Sequence, residues 1–448
     1  MKRDAIDFEK DKVSSLFRKL LIPTLLGSLS LSAVTAIDGI LIGHKVGANG
    51  VAAVNIIVPI YQIMAGLGLM IGAGCSVVAS INLAKQKQKV ARLNITQAIL
   101  FSTMFVFLLC VLIITFPSQT GLLLGSSKTL LSQVTDYLKW IAPCFIFEMW
   151  SLIGLFIIRL DGSPRFAMWC NIIPSLLNVI LDWLFIYPLG MGVKGAAIAT
   201  ATSIIIGGIM AITYLLFYAK ELRLIPLKRS LISLKLSLRN IYYQCRIGSS
   251  TMFGELTLAI LIFMGNLSFM RYLGDNGVGA FGIACYYTPF FFSVGSAIAQ
   301  SAQPIISYNY GIKRWKQIRE TRKLLIITSA LCGMIVMLLF ILIPDWLVAL
   351  FVDTQSKSGQ LAIEGFPYYA LGIIFFILNV AITGYYQSIE RITVSTLYVC
   401  LRGCILLVPC FIILPPLLGI KGIWLAMPMA EILTMIICIP FLYYKKDY

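Results

Sequence analysis

Six ionisable side chains lie inside long apolar runs: the acids Asp38, Glu148, Asp182, Glu255 and Glu431, and the guanidinium of Arg402. A charge placed in hydrocarbon is costly unless it faces the protein interior, pairs or titrates, so each is a candidate for ion or proton chemistry. Asp38 stands 19 residues beyond Lys19 and Asp182 stands 17 beyond Arg165. At about 1.5 Å per helical residue both reach the outer half of a bilayer, at matching height. Asn178 precedes Asp182 by four residues and shares its helix face, and Thr200 follows by 18 on the next apolar run. Two carboxylates meeting in a poorly hydrated pocket cannot both ionise cheaply, so one takes a proton or a cation settles between them. Oxygens from Asp38, Asn178, Asp182 and Thr200 suit a hard monovalent cation, and the same acids suit a proton. The competing reading is that each acid only hydrogen-bonds a neighbouring helix.

Glu148, Glu255, Glu431 and Arg402 fall near mid-membrane. One reading is structural, an ion pair such as Arg402 with Glu431 holding helices in register. The other makes these side chains the wall of a cavity that attracts a cationic substrate. Tyr286 and Phe290, within an aromatic run on the eighth apolar segment, would then add stacking and cation–π contact, although belts at the membrane surface also use such rings. Pro23 interrupts the first segment and would let it bend.

These residues must be positioned by membrane helices. The chain is 59% hydrophobic and only 12% charged, too little polar surface to coat a soluble globule. Runs of the required length predict spans near 20–43, 51–80, 93–116, 131–158, 166–188, 195–219, 246–270, 278–310, 324–350, 361–386, 392–417 and 422–444, twelve in all. Lys and Arg alternate accordingly: seven segments on one side carry 28, while the six intervening connections carry one each. Under the positive-inside rule both termini are cytoplasmic. The net charge of +17 is then mostly a collar facing anionic lipid, and no nucleic-acid partner is needed to explain it.

The sequence also repeats at an offset of 227 residues. Ser80, Asn82, Arg92 and Pro117 fall on Ser307, Asn309, Arg319 and Pro344, and Gly192-Val193-Lys194-Gly195 falls on Gly419-Ile420-Lys421-Gly422. Six spans per copy keep both copies in one orientation. The expected division is an N-lobe over 1–219, a basic amphipathic linker over 220–245 lying on the inner leaflet, and a C-lobe over 246–448. The eleven cysteines contain no C-x-x-C pair and read as buried apolar thiols. His44, the only histidine, reads as interfacial. The N-terminal segment has no small-residue cleavage site and does not read as a removable signal peptide. One histidine, no H-E-x-x-H and no G-x-S-x-G argue against an intramembrane enzyme, and the lack of a phosphate-binding G-x-x-x-x-G-K-[ST] loop argues against a primary pump.

The stretches Ile37-Asp38-Gly39-Ile40-Leu41-Ile42-Gly43, Leu177-Asn178-Val179-Ile180-Leu181-Asp182, Gly195-Ala196-Ala197-Ile198-Ala199-Thr200 and Gln303-Pro304-Ile305-Ile306-Ser307-Tyr308-Asn309-Tyr310-Gly311 resemble the multidrug and toxic compound extrusion (MATE) family, on its DinF-like and MepA-like side. The similarity covers essentially the whole chain. It implies an all-α membrane protein with twelve transmembrane helices in two pseudo-two-fold related six-helix lobes forming a V. It further implies alternating access, with organic cations exported in exchange for protons or sodium. The DinF-like cation site then maps to Asp38, Asn178 and Asp182, with Thr200 beside them, and Pro23 maps to a bending proline. NorM-type members instead use a Glu on span 7 and an Asp on span 10. Here Glu255 follows Gly248 at a shorter spacing and span 10 has no interior Asp, which places coupling in the N-lobe.

The expected protein is thus a monomeric antiporter of the bacterial cytoplasmic membrane, without cofactor or resident metal and with H+ or Na+ as coupling ion. Its partners are small organic cations and the lipid bilayer. A lipid-linked oligosaccharide flippase of the same superfamily is the alternative. It predicts a basic cavity for a pyrophosphate head, whereas acids outnumber bases inside these spans.

Overall fold

The computed structural model describes residues 6–46, 48–124, 126, 130–227 and 230–443; for some of these, Asp38 among them, only the backbone is described. The described residues form helices and connecting turns, with no strand among them. In chain order the α-helices are α1 (Val13–Val46), α2 (Ala48–Ala84), α3 (Gln88–Thr115), α4 (Pro117–Leu123), α5 (Leu131–Ile141), α6 (Phe145–Leu160), α7 (Pro164–Ile186) and α8 (Gly192–Thr213). They continue with α9 (Leu231–Gly311), α10 (Trp315–Leu342), α11 (Pro344–Ala349), α12 (Lys357–Ala370), α13 (Ile373–Ser388), α14 (Ile392–Cys400), α15 (Leu407–Leu418) and α16 (Ile420–Tyr443).

Ten helical stretches among the described residues are long and apolar enough to cross a bilayer, and α12 with α13, bent by 51°, makes eleven. The twelve spans read from sequence exceed this count at one place. Ser233–Gly311 enters as a single 79-residue stretch, far beyond the roughly 20 residues a crossing requires. Two helices run together there across Gly274, whose φ of 62° and ψ of −154° are not helical.

The repeat is written into the turns. Gln86 and Lys313, 227 apart, both take positive φ (59° and 58°). Each closes a helix by the same 6→1 hydrogen bond, Lys87 N to Asn82 O and Arg314 N to Asn309 O, both 2.9 Å. The carboxamides of Asn82 and Asn309 each donate to the carbonyl four residues back, Val78 and Ile305, at 2.8 Å. Gly162 and Glu390, one residue off the repeat register at 228 apart, close a second pair of turns the same way, through Ser163 N to Ile158 O and Arg391 N to Tyr386 O. Pro117 and Pro344 each open a short helix at a position where no backbone donor is required.

The chain divides into two compact units, Met1–Met252 and Phe253–Tyr448. In the first unit, α6 is gripped between α2 and α8 at close range. A methyl on Gly72 would come within 3.2 Å of Ile153 Cα, and one on Gly208 within 2.3 Å of the Phe147 carbonyl oxygen. The apolar faces bury two cores, one around Ile71, Ile95, Ile158 and Leu215, the other around Ile57, Val134, Phe145 and Ala197.

The described residues of 220–252 also fold against this unit. The Asp161 carboxylate accepts the backbone N–H of Glu221 and Leu222 (2.9 Å each) and the Tyr214 hydroxyl (2.9 Å). Arg92 donates to the carbonyls of Lys220 and Glu221, and Gln244 donates to the Asn94 side chain (3.0 Å). In the second unit, Phe269 stacks on Phe281 and meets Trp424 edge-on, both at 4.7 Å, and Gly365 leaves the room that the Trp424 indole fills.

Candidate functional site

In the first unit α1 packs along α7, and α7 along α8. The α1 and α7 backbones come close at Gly27, where an added methyl would lie 3.4 Å from Met168 Cα and 3.2 Å from Asn171 Nδ2. As the first and fifth candidate spans in chain order, α1 and α7 cross in the same direction. Eleven residues on, a rise of about 16 Å, α1 reaches Asp38 while α7 reaches residues 179–182. The backbone register therefore brings Asp38 level with Asp182; the Asp38 side chain lies outside the described residues.

Asn178 and Asp182 sit one helical turn apart and are buried, with 4% and 1% exposure. Asn178 Nδ2 donates across to Thr200 Oγ1 on α8 at a long 3.5 Å, a geometry at the outer limit for such a bond. Below them Pro174 breaks the α7 hydrogen-bond ladder and packs 3.1 Å from where a methyl on Gly207 of α8 would stand. No Lys or Arg follows Arg165 on α7 or Lys194 on α8. Asn178 thus bonds Thr200 between α7 and α8, with the Asp182 carboxyl one turn further along α7. Among the described residues no group of three or more His, Cys, Asp or Glu side chains is arranged to hold a resident metal ion. Pro23 is buried within α1.

The second unit holds charge differently. Arg402, in a π-helical turn over Leu401–Ile405 that joins α14 to α15, is 2% exposed. Its Nε and Nη2 both donate to Glu431 Oε1, at 3.0 and 2.8 Å. Asn379 Nδ2 completes the acid by donating to Oε2 at 2.8 Å and to the Glu431 carbonyl at 2.9 Å. The guanidinium lies 4.3 Å from the Phe376 ring centroid. Of the two readings of Arg402 and Glu431, an ion pair or the wall of a substrate cavity, the ion pair is present, buried and multiply bonded.

The remaining candidates are dispersed. Glu255 is half-buried on α9, two residues before Thr257, on which Gly403 closes. Tyr286 is 49% exposed and stacks on Phe351 at 5.1 Å; Phe290 is half-buried. Glu148 belongs to the first unit. It is 5% exposed in the first turn of α6 and shares a side-chain hydrogen bond with Tyr61.

Asp161 was missed by the sequence reading because it lies in a basic turn rather than an apolar run. Its signal was local: an acid in the Arg159–Arg165 loop, beside Gly162 and Ser163 where the chain must turn sharply.

A family model described as MatE matches the chain twice, over residues 23–184 and 251–412. Multidrug export protein MepA of Staphylococcus aureus is 21% identical over 459 residues, covering 98% of this chain and 96% of that protein. A solved structure described as the outward-facing conformation of a multidrug resistance MATE family transporter of the MOP superfamily superposes with a TM-score of 0.89 at 19% identity, covering 98% and 97% of the two chains. A MOP superfamily transporter from Pyrococcus furiosus, described as having a binding pocket of reverse polarity that suggests a different function, gives 0.86 at 19% identity, covering 96% and 95%. The twofold match takes in most of the sequence, and the chain belongs to the MatE family of membrane transporters, which are not enzymes.

Proposed function

We propose that the protein is a secondary antiporter that exports cationic amphiphilic compounds across the bacterial cytoplasmic membrane, exchanging them for H+ or Na+. It works as a monomer of two six-helix lobes with both termini in the cytoplasm, the 220–245 segment joining them. The observation that carries the reading is the pair of buried polar residues on α7, Asn178, which bonds half-buried Thr200, and Asp182 one turn on, with Asp38 level with them on the adjoining helix. A cation or proton entering there cancels a charge that burial makes costly, and leaving restores it. That swing is large enough to favour one packing of α1 against α7 over another. Binding of the ion and binding of the organic cation then favour opposite states, and by linkage each drives the other's release. The similarity to a multidrug export protein, MepA, supports the substrate class.

The flippase alternative requires a basic site for a pyrophosphate. Arg402, the basic residue deep in the second unit, is already neutralised by Glu431, which favours the cation exporter. Dye efflux from cells or proteoliposomes under imposed proton or sodium gradients tests the assignment. Efflux that persists unchanged in both Asp38→Asn and Asp182→Asn defeats the coupling site, and movement of lipid-linked sugars alone would establish the flippase instead.

A further inference from the structure

A second acid in the first unit sits where its charge has no evident compensation. Glu148 follows a break in the transmembrane path: α5 ends at Ile141, a 3-10 turn containing Pro143 spans Ala142–Cys144, and α6 begins at Phe145. The Cys110 thiol donates to the Ala142 carbonyl at 2.8 Å, taking up an acceptor at the break. The surrounding core is Ile57 and Met64 of α2, Val106 of α3, Val134 and Leu138 of α5, and Ala197 and Ala201 of α8. Glu148 is 5% exposed, and its Oε2 is buried with no hydrogen-bond partner.

The titratable groups that act with it are Tyr61 from α2 and Cys144 from the turn; beyond them Tyr137 of α5 acts on Tyr61 and Cys110 of α3 on Cys144. On α8 the facing side chains are alanines, and where α7 meets α6 the titratable neighbour is Cys170, beside Arg159 at the far end. Among the described residues, the groups that act on the Glu148 carboxyl and on its titratable neighbours include no Lys, Arg or His. Neutral hydroxyls and thiols cannot balance a carboxylate, and an uncompensated ion in such a core costs several kcal/mol.

We propose that Glu148 holds an exchangeable proton, making a second proton site in the first unit that is separate from the Asn178–Asp182–Thr200 cluster. The separation follows from α8, which turns Ala197 and Ala201 to the Glu148 core while Thr200 bonds Asn178 of α7. The proton neutralises the carboxyl, and the Tyr61 hydroxyl is its hydrogen-bond partner. Exchange is feasible because the helix start of α6 favours the anion while the apolar core favours the acid, so neither form is out of reach. A role for this proton in transport rests on the antiporter reading; the proton itself does not.

The test is infrared titration of the purified full-length protein in lipid nanodiscs, followed on the carbonyl stretch of protonated carboxylic acids. The expected result is a band at neutral pH that disappears as pH rises, is absent in Glu148→Gln, and in Tyr61→Phe shifts in frequency with its area unchanged. Spectra of Glu148→Gln identical to the parent at every pH overturn the proposal, because the carboxyl is then always ionised. A Glu148 band that never bleaches also overturns it, because the proton is then fixed. Should Glu148→Gln fail to fold, Tyr61→Phe decides, since an unshifted band is contrary to the assignment. Failure of the exporter reading would be seen separately, as absence of gradient-driven efflux in the parent protein.

Discussion

The two halves share a backbone plan and differ in how they keep a buried charge. At the repeat offset Asp38 corresponds to Gly265, Asn178 to Ile405, Asp182 to Pro409 and Thr200 to Met427, while Arg402 corresponds to Ser175. The second half carries the counter-ion of Glu431 covalently, as Arg402, while its other interior acid, Glu255, is half-buried. The first half gathers acid, amide and hydroxyl without a basic residue on the interior of α7 or α8. A fixed counter-ion makes a post, whereas an exchangeable one makes a switch. Duplication supplied the helices twice, and the proposed mechanism puts the ion exchange in one copy.

The sharpest way to break this contrast is at Asp182. Asp182→Asn removes the charge while keeping the shape, and it is expected to bring gradient-driven efflux down to the background of empty vesicles. Asp38→Asn is expected to do the same in the dye-efflux assay. Next in size is Arg402→Ala, which strands Glu431 and is expected to destabilise the protein by about 3–5 kcal/mol, read as a lowered unfolding midpoint in detergent. Arg402→Met combined with Glu431→Leu removes both charges and is expected to recover most of that loss. A stable Arg402→Ala protein with altered ion dependence would move the switch into the second half.

Smaller effects sharpen the picture. Gly403→Ala drives a methyl against the Thr257 hydroxyl and is expected to cost about 1–3 kcal/mol by overpacking, again read from unfolding. Thr200→Ala removes one hydroxyl from the first-half cluster. Its expected cost is about 1 kcal/mol, a roughly fivefold weaker apparent affinity for the coupling ion, with maximal efflux preserved.

Much of this was legible in residue types. Apolar run length and the Lys and Arg alternation gave the helices. The 227-residue offset anticipated the paired turns at Gln86 and Lys313, and the similar depth of Arg402 and Glu431 anticipated their pairing. Chain length alone could not show that 246–270 and 278–310 would join through Gly274, since the break there is a single residue's dihedral angles. The linker read as a lipid-facing tether because Lys, Arg and Leu dominate it. Its described residues also bond polar residues scattered over α3 and the turn after α6: Arg92, Asn94 and Asp161. No local periodicity links these to residues more than a hundred positions away in the case of α3. Glu148 was legible as an anomaly but not as a member of a closed core, because its neighbours come from α2, α3, α5 and α8 together.

The claim that ion exchange belongs to the first half is tested most directly by substrate uptake into liposomes, with sodium and pH gradients imposed separately. The parent protein, Asp182→Asn, and the Arg402→Met with Glu431→Leu double variant are compared side by side. The account predicts that at least one gradient drives uptake by the parent and the double variant, and that neither drives uptake by Asp182→Asn. Gradient-driven uptake by Asp182→Asn at the parental rate would contradict it.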